Sequence, residues 1–218
     1  MMARGDLTVL HEPFSLHYYF GPRKRSARYD EVRADADPGA ILGAVAAAEG
    51  RVFLKDMACH VADLADDAFL GRFTHTFLVR DPARTLPSLA VRWPDFTDDE
   101  AGFEPLARLV DLVAGRVGAP VIVDADDLLR DPEGMVRAYC DAVGLVFRPD
   151  ALHWEAGMPP EWEIWADWHE GAARSTGFGP PPSGPAPARD DPRVAAGYER
   201  SAPIYARLRE QRLRPGLA

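Results

Sequence analysis

A chain of 218 residues, 47% of them hydrophobic, is long enough for one large α/β domain with a proper core. Its net charge of −9 sets it apart from general nucleic-acid binders, whose affinity depends on a basic face. Two cysteines, Cys59 and Cys140, lack paired metal or redox spacing and fit buried packing positions in a reducing compartment.

In chain order, Leu7 to Leu10 reads as a first short apolar strand, and Pro38 to Glu49 as an alanine-rich helix stopped by Gly50. Val52 to Leu54 predicts a second strand. Ala62 to Leu70 predicts a helix stopped by Gly71, and Phe77 to Val79 a third strand. Phe103 to Val117 carries apolar residues at helical spacing, and Val121 to Val123 is the fourth strand. Asp131 and Pro132 open a further helix that ends near Gly144. This alternation predicts a parallel sheet flanked by helices in an α/β fold.

The last third differs. Trp154, Trp162, Trp165 and Trp168 lie in a stretch broken by Pro159 and Pro160, which is expected to pack across one end of the sheet. Gly179 to Pro187 reads as a stiff proline- and glycine-rich linker inside a single domain spanning 1–218. Tyr198, Ile204, Tyr205, Leu208 and Leu213 predict a final helix from about Pro203. The longest apolar run, roughly 40–48 with Gly43 inside it, falls short of the ~20 residues needed to span a bilayer. No basic region leads into an apolar stretch at the start, so a cytoplasmic protein without membrane attachment is expected.

The segment His75 to Ala90 carries the most chemistry. Its strand ends at Arg80; Asp81 is an N-cap candidate, Pro82 suits the first helical position, and Ser88 follows eight residues after Arg80. Ligands of open α/β sheets bind at the carboxyl ends of strands, and a guanidinium can bond two phosphate oxygens together. A phosphate grip by Arg80 and Ser88 is therefore one reading, and a surface arginine at an ordinary helix start is the other. Six histidines show no His-Glu-x-x-His spacing, so no metal site is expected. Ser88 lacks the Gly-x-Ser-x-Gly elbow of a hydrolase.

Together these segments resemble the bacterial sulfotransferase-like proteins of the P-loop superfamily, which use 3′-phosphoadenosine-5′-phosphosulfate as donor. The resemblance lies in Phe77-Leu78-Val79-Arg80-Asp81-Pro82 with Ser88, in His11-Glu12-Pro13-Phe14 and in Val52-Phe53-Leu54-Lys55-Asp56-Met57. It extends to residues 121–132, to Gly144-Leu145-Val146-Phe147 and to the closing 203–208, so it spans about Leu7 to Leu213. Relatives begin with a strand and a Pro-Arg-Ser/Gly-Ser/Thr loop that cradles the donor's 5′-phosphosulfate. Here Met1 to Asp6 is similar to the end of the helix after that loop, so the expectation is an N-terminally truncated fold and a start codon internal to the gene.

The resemblance implies sulfonate transfer from this donor to a hydroxyl or amine of a small-molecule acceptor, without a metal and without nucleic acid. It assigns the donor's 3′-phosphate to Arg80 and Ser88, and Arg174, in a late loop that lacks the usual Arg-Lys-Gly, to the nucleotide. Lys55 would stabilise the sulfonate. For the base, many eukaryotic relatives carry a histidine where this chain has Met57, which leaves Glu12 as first candidate and His60 as second. Two other classes stay open: a non-catalytic nucleotide- or partner-binding protein that keeps the fold, and a P-loop kinase-like phosphotransferase. The latter needs a Gly-Lys-Ser/Thr loop, which the sequence does not contain. Pyridoxal phosphate chemistry would need a buried Schiff-base lysine, and only Lys24 and Lys55 are present.

Overall fold

The structure is a computed structural model that describes residues 1–180 and 191–216. Its regular elements are β1 (Thr8–His11), α1 (Ser15–Phe20), α2 (Pro38–Ala47), β2 (Val52–Lys55), α3 (Ala58–Val61), α4 (Asp67–Leu70) and β3 (Thr76–Val79). There follow α5 (Pro82–Arg92), α6 (Asp98–Ala101), α7 (Phe103–Arg116), β4 (Val121–Asp124), α8 (Ala125–Arg130), α9 (Pro132–Ala142), α10 (Ala166–Ala173) and α11 (Pro192–Glu210). Short 3-10 turns occupy Met2–Arg4, Pro149–Leu152 and Pro160–Trp165. All four strands fall where the apolar runs predicted them, each within one or two residues of the expected bounds.

Four of these helices start by one rule. Asp37, Asp81, Asp131 and Asp191 are N-caps, each followed by proline at the first helical position, and each carboxylate accepts a backbone N–H of the first turn. The carboxylate satisfies a donor that the helix leaves unpaired, and proline has no N–H to leave unpaired. A Thr97–Glu100 capping box starts α6 by the reciprocal route.

The chain packs into two compact units, the first made of Met1–Leu64 with Arg148–Gly179. In it β1 and β2 run parallel, with Thr8 opposite Val52 and His11 opposite Lys55. Phe14, Tyr18 and Tyr19 of the turn and α1 that follow β1 form its buried side, and Trp165 joins them. The Trp165 indole N–H donates to Ser15 Oγ at 3.2 Å, and its ring lies 5.3 Å from that of Tyr19. Residues after Leu152 run back against the end of α10, where the Trp154 N–H donates to the Thr176 carbonyl at 3.1 Å. Three of the four tryptophans have separate aromatic partners: Trp154 meets Phe178, Trp165 meets Tyr19, and Trp162 meets His169.

The second unit comprises Ala65–Phe147 and the described part of Pro180–Ala218. Here β3 and β4 pair in parallel, Thr76 opposite Val121 and Val79 opposite Asp124. The four strands therefore pair two by two, within a parallel α/β class. Leu86, Phe103 and Val194 form a core under α11, with Tyr198, Ile204 and Tyr205 packed against it. The helix predicted from about Pro203 begins at Pro192 and carries Pro203 in its interior. Of the helix predicted over 62–70 only α4 forms, because Asp66 caps a fresh start by accepting the Phe69 N–H at 2.8 Å, while α3 ends before the predicted segment begins. Of the expected linker 179–187, residues 181–187 lie outside the described residues. Among the described residues no helix is long and apolar enough to cross a membrane.

Candidate functional site

The carboxyl ends of β1 and β2 bring together Glu12 and Lys55, two of the residues that the sequence singled out in the first unit. Their parallel register sets His11 beside Lys55, and the Glu12 N–H extends the ladder by donating to the Lys55 carbonyl at 2.6 Å. Directly after β1 the backbone turns through Glu12 at φ 49°, the one non-glycine residue with positive φ among the described residues. A left-handed conformation at a residue with a Cβ costs roughly 1–2 kcal/mol, and such strain gathers where a side chain must point in a set direction. The Glu12 carboxylate points to the Lys55 ammonium, which donates to Oε1.

That contact decides the charge state of Glu12. Burial pushes its carboxyl up, yet the Lys55 ammonium, by charge and hydrogen bond, outweighs burial and holds it below the usual range. Of the three ammonium donors, one goes to Glu12 and one points at Met57 Sδ, 3.7 Å away, so a third is left. Lys55 keeps 41% of its side chain exposed while Glu12 keeps 12%, so the ammonium can meet an incoming anion.

Asp56 fixes the turn after β2. Its carboxylate accepts the Phe14 and Met57 N–H groups, both at 2.8 Å, and meets His60 Nδ1 at 2.6 Å. His60 is buried under Tyr18 and Tyr19, whose ring centroids lie 5.1 and 5.4 Å away. It therefore stands behind the strand ends, bonded to Asp56, while Glu12 stands in front.

Two residues near Glu12 escaped the sequence reading as site members. His11 Nε2 lies 3.8 Å from Glu12 Oε1 and 2.9 Å from Nε2 of His169, on α10. The Trp162 ring lies 4.7 Å from that of His169. Burial lowers both imidazoles below their ordinary range, and the nearby Lys55 charge adds to this against the opposing pull of Glu12. A separation of 158 residues leaves no local pattern by which sequence could have paired them. Arg174 caps the end of α10 and is exposed.

In the second unit, Arg80 emerges exposed at the carboxyl end of β3 and makes no hydrogen bond or ion pair with a described residue. Asp81 turns inward instead, accepting the Ala83 N–H at 2.8 Å to start α5. Ser88 is exposed on that helix, one turn beyond Arg84, whose guanidinium faces Asp126 at 3.9 Å. At the end of β4, Asp124 is fully buried: Oδ1 accepts the N–H groups of Asp126 and Asp127, and Oδ2 accepts the Tyr205 hydroxyl at 2.8 Å. Arg209 Nε approaches the same oxygen to 3.5 Å. Among the described residues no three histidine, cysteine, aspartate or glutamate side chains are grouped to hold a metal ion.

Comparison with known proteins adds the following. The family model of the sulfotransferase domain matches residues 1–209. Branched-chain-amino-acid aminotransferase-like protein 1 of Arabidopsis thaliana is 36% identical over 143 residues, which are 64% of this chain and 25% of that protein. Branched-chain-amino-acid aminotransferase-like protein 2 of the same plant is 38% identical over 108 residues, 49% of this chain and 19% of that protein. The chain thus spans a quarter or less of these curated relatives. Among solved structures, a sulfotransferase domain from the curacin biosynthetic pathway is 14% identical with a TM-score of 0.38, covering 79% of this chain and 65% of that one.

Proposed function

The chain belongs to the sulfotransferase-domain family, and from that premise we propose that it moves a sulfonate from 3′-phosphoadenosine-5′-phosphosulfate to a hydroxyl or amine of a small-molecule acceptor. The observation that carries the proposal is the Lys55–Glu12 contact at the carboxyl ends of two parallel strands, with Glu12 held there in a left-handed backbone conformation. Two adjacent strand ends thereby offer a cation and an ionised carboxylate side by side, the pair that sulfonate transfer needs.

In this reading the acceptor oxygen attacks sulfur, the new O–S bond forms, and the bond from sulfur to the bridging oxygen breaks. The electron pair leaves with the nucleotide's 5′-phosphate. Glu12 takes the acceptor's proton, a role its ionised state permits, and Lys55 directs its remaining donor at the negative charge that develops on the bridging oxygen. Glu12 is preferred to His60 as base because the His60 side chain is 3% exposed and bonded to Asp56. Positioning and charge are expected to carry most of the rate, as in phosphoryl transfer.

Arg80 and Ser88 take the donor's 3′-phosphate. Support comes from the exposed Arg80 guanidinium, which has no partner among the described residues, beside the first turn of α5. Arg174 is a further candidate for the nucleotide. The test is calorimetric binding of adenosine 3′,5′-bisphosphate to the protein and to Arg80→Ala. Loss of one charge-assisted phosphate contact should weaken binding by roughly tenfold or more. Equal affinity in the two proteins would reject the assignment of the 3′-phosphate.

A further inference from the structure

The Glu12 carboxylate is held ionised by a neighbouring ammonium, so a proton that it receives is held weakly and has to leave before the next turnover. Beyond Lys55, which bonds to it directly, the Glu12 carboxylate has the His11 imidazole 3.8 Å away, itself in contact with that of His169. His11 is the last residue of β1 and His169 lies on α10, with Nε2 atoms 2.9 Å apart and rings at 73° to each other. At that distance one nitrogen carries the proton and the other offers its lone pair. Their contact therefore fixes the two rings in opposite tautomers at this edge.

Such a couple can take up one further proton without losing its bond. A proton added to the outer nitrogen of the donor ring turns N–H···N into a charge-assisted bond, which is stronger. The ordinary order of basicity, imidazole above carboxylate by about two units, favours passage of a proton from Glu12 to the couple. The nearer nitrogen, His11 Nε2, is 3.8 Å from Glu12 Oε1 but is already engaged with His169, so the proton passes from Glu12 to the free outer nitrogen of the couple by way of solvent water.

We propose that the His11–His169 couple is the proton store of the transfer reaction, receiving from Glu12 the proton taken from the acceptor and passing it to water. This rests on the assignment of Glu12 as base. The balance is simple: the acceptor loses one proton, Glu12 carries it, an imidazole nitrogen gains it, and solvent receives it. His11 and His169 act through Glu12 and are positioning residues. The groups that face the couple are Glu12 and Asp56, which favour its charged form, Lys55, which opposes it, and the uncharged Trp162 ring.

Two measurements test the proposal independently. In the first, the imidazole nitrogens of the whole protein are titrated by 15N NMR, and His11 and His169 should take up one proton as a coupled pair below the ordinary imidazole value. Separate titration of each ring at the ordinary value would overturn the proposal, as would stoichiometric zinc uptake that His169→Gln abolishes. In the second, transfer from the phosphosulfate donor to p-nitrophenol is followed in wild type and His169→Gln, in which glutamine keeps a hydrogen-bonding group but cannot titrate. The expected result is a fall in kcat of roughly tenfold or more at unchanged KM, recovered by added imidazole. An unchanged kcat, or a loss in the folded variant that imidazole does not recover, counts against the store. Wild type that transfers nothing to p-nitrophenol counts against the proposed reaction, and the titration then decides the couple alone.

Discussion

Asp124 and Glu12 are both carboxylates at strand ends, and their surroundings give them opposite work. Asp124 is fully buried with both oxygens occupied, so it fastens the start of α8 to Tyr205 and Arg209 of α11. Burial, followed by the bond to this carboxylate, pushes the Tyr205 phenol up. Replacing Asp124 by alanine strands a tyrosine hydroxyl, a guanidinium and two backbone donors, and should cost about 3–5 kcal/mol in denaturant unfolding. Asp124→Asn keeps one acceptor for the cap and should cost less; equal losses would show that the retained acceptor contributes nothing and that the charge carries the effect. Glu12 has its partner on one side only and keeps some access to solvent. Its position after an apolar strand was visible in the sequence, but its positive φ was not, because neither glycine nor asparagine marks the turn. The Asp124 bonds and the His11–His169 contact were equally hidden, since periodicity carries no information on partners 81 and 158 residues away.

Among the elements, α11 shows most clearly how a local signal can lose to a better one. Pro203 reads as a helix start, and the helix in fact runs through it from Asp191-Pro192. An interior proline forfeits one backbone bond, and the burial of Val194, Gly197, Ser201 and Leu208 along this helix offsets that loss. Gly197 marks a close approach to α5: a Cβ built there would stand 3.3 Å from Leu86 Cδ1. Gly197→Ala should be nearly neutral, since helix propensity gains about 1 kcal/mol while the flexible Leu86 end must shift. Gly197→Val should cost about 1–3 kcal/mol by overpacking, and Leu86→Ala about 2–5 kcal/mol by leaving a cavity. A valine variant as stable as the alanine one in thermal unfolding would refute this close-packing account. The Asp-Pro rule was legible at Asp81 and Asp131, because each follows a strand or its capped turn. It was missed at Asp191, which follows a segment read as linker.

For the whole molecule, acid is the condition to which the buried groups respond together. His11, His17 and His169 have folded pKa values lowered first by burial. The unfolded chain therefore binds protons before the folded one, and stability starts to fall as pH drops below about 6.5. Glu12 and Asp127 are also lowered, Asp127 because Arg212 and Arg130 outweigh its desolvation. Their contribution is present above the ordinary carboxylate range and is lost as pH falls through their lower folded values. The melting temperature should accordingly be lower at pH 5.5 than at pH 7.5 in the wild type, with a smaller difference in His17→Gln. A flat profile would contradict the burial assigned to the three histidines. Composition and alternation made the parallel α/β class legible, whereas the two-by-two pairing of strands depends on long-range contacts that no local signal encodes.

The first unit is built from two separated stretches, 1–64 and 148–179, with the second unit's central stretch between them. During translation β1 leaves the ribosome early, yet His11 meets a partner synthesised 158 residues later. At ~5–20 residues per second that interval is roughly 8–30 s. The nascent chain must therefore hold an unfinished first unit while residues 65–147 are made, and a translational pause before codon 169 would prolong that exposure.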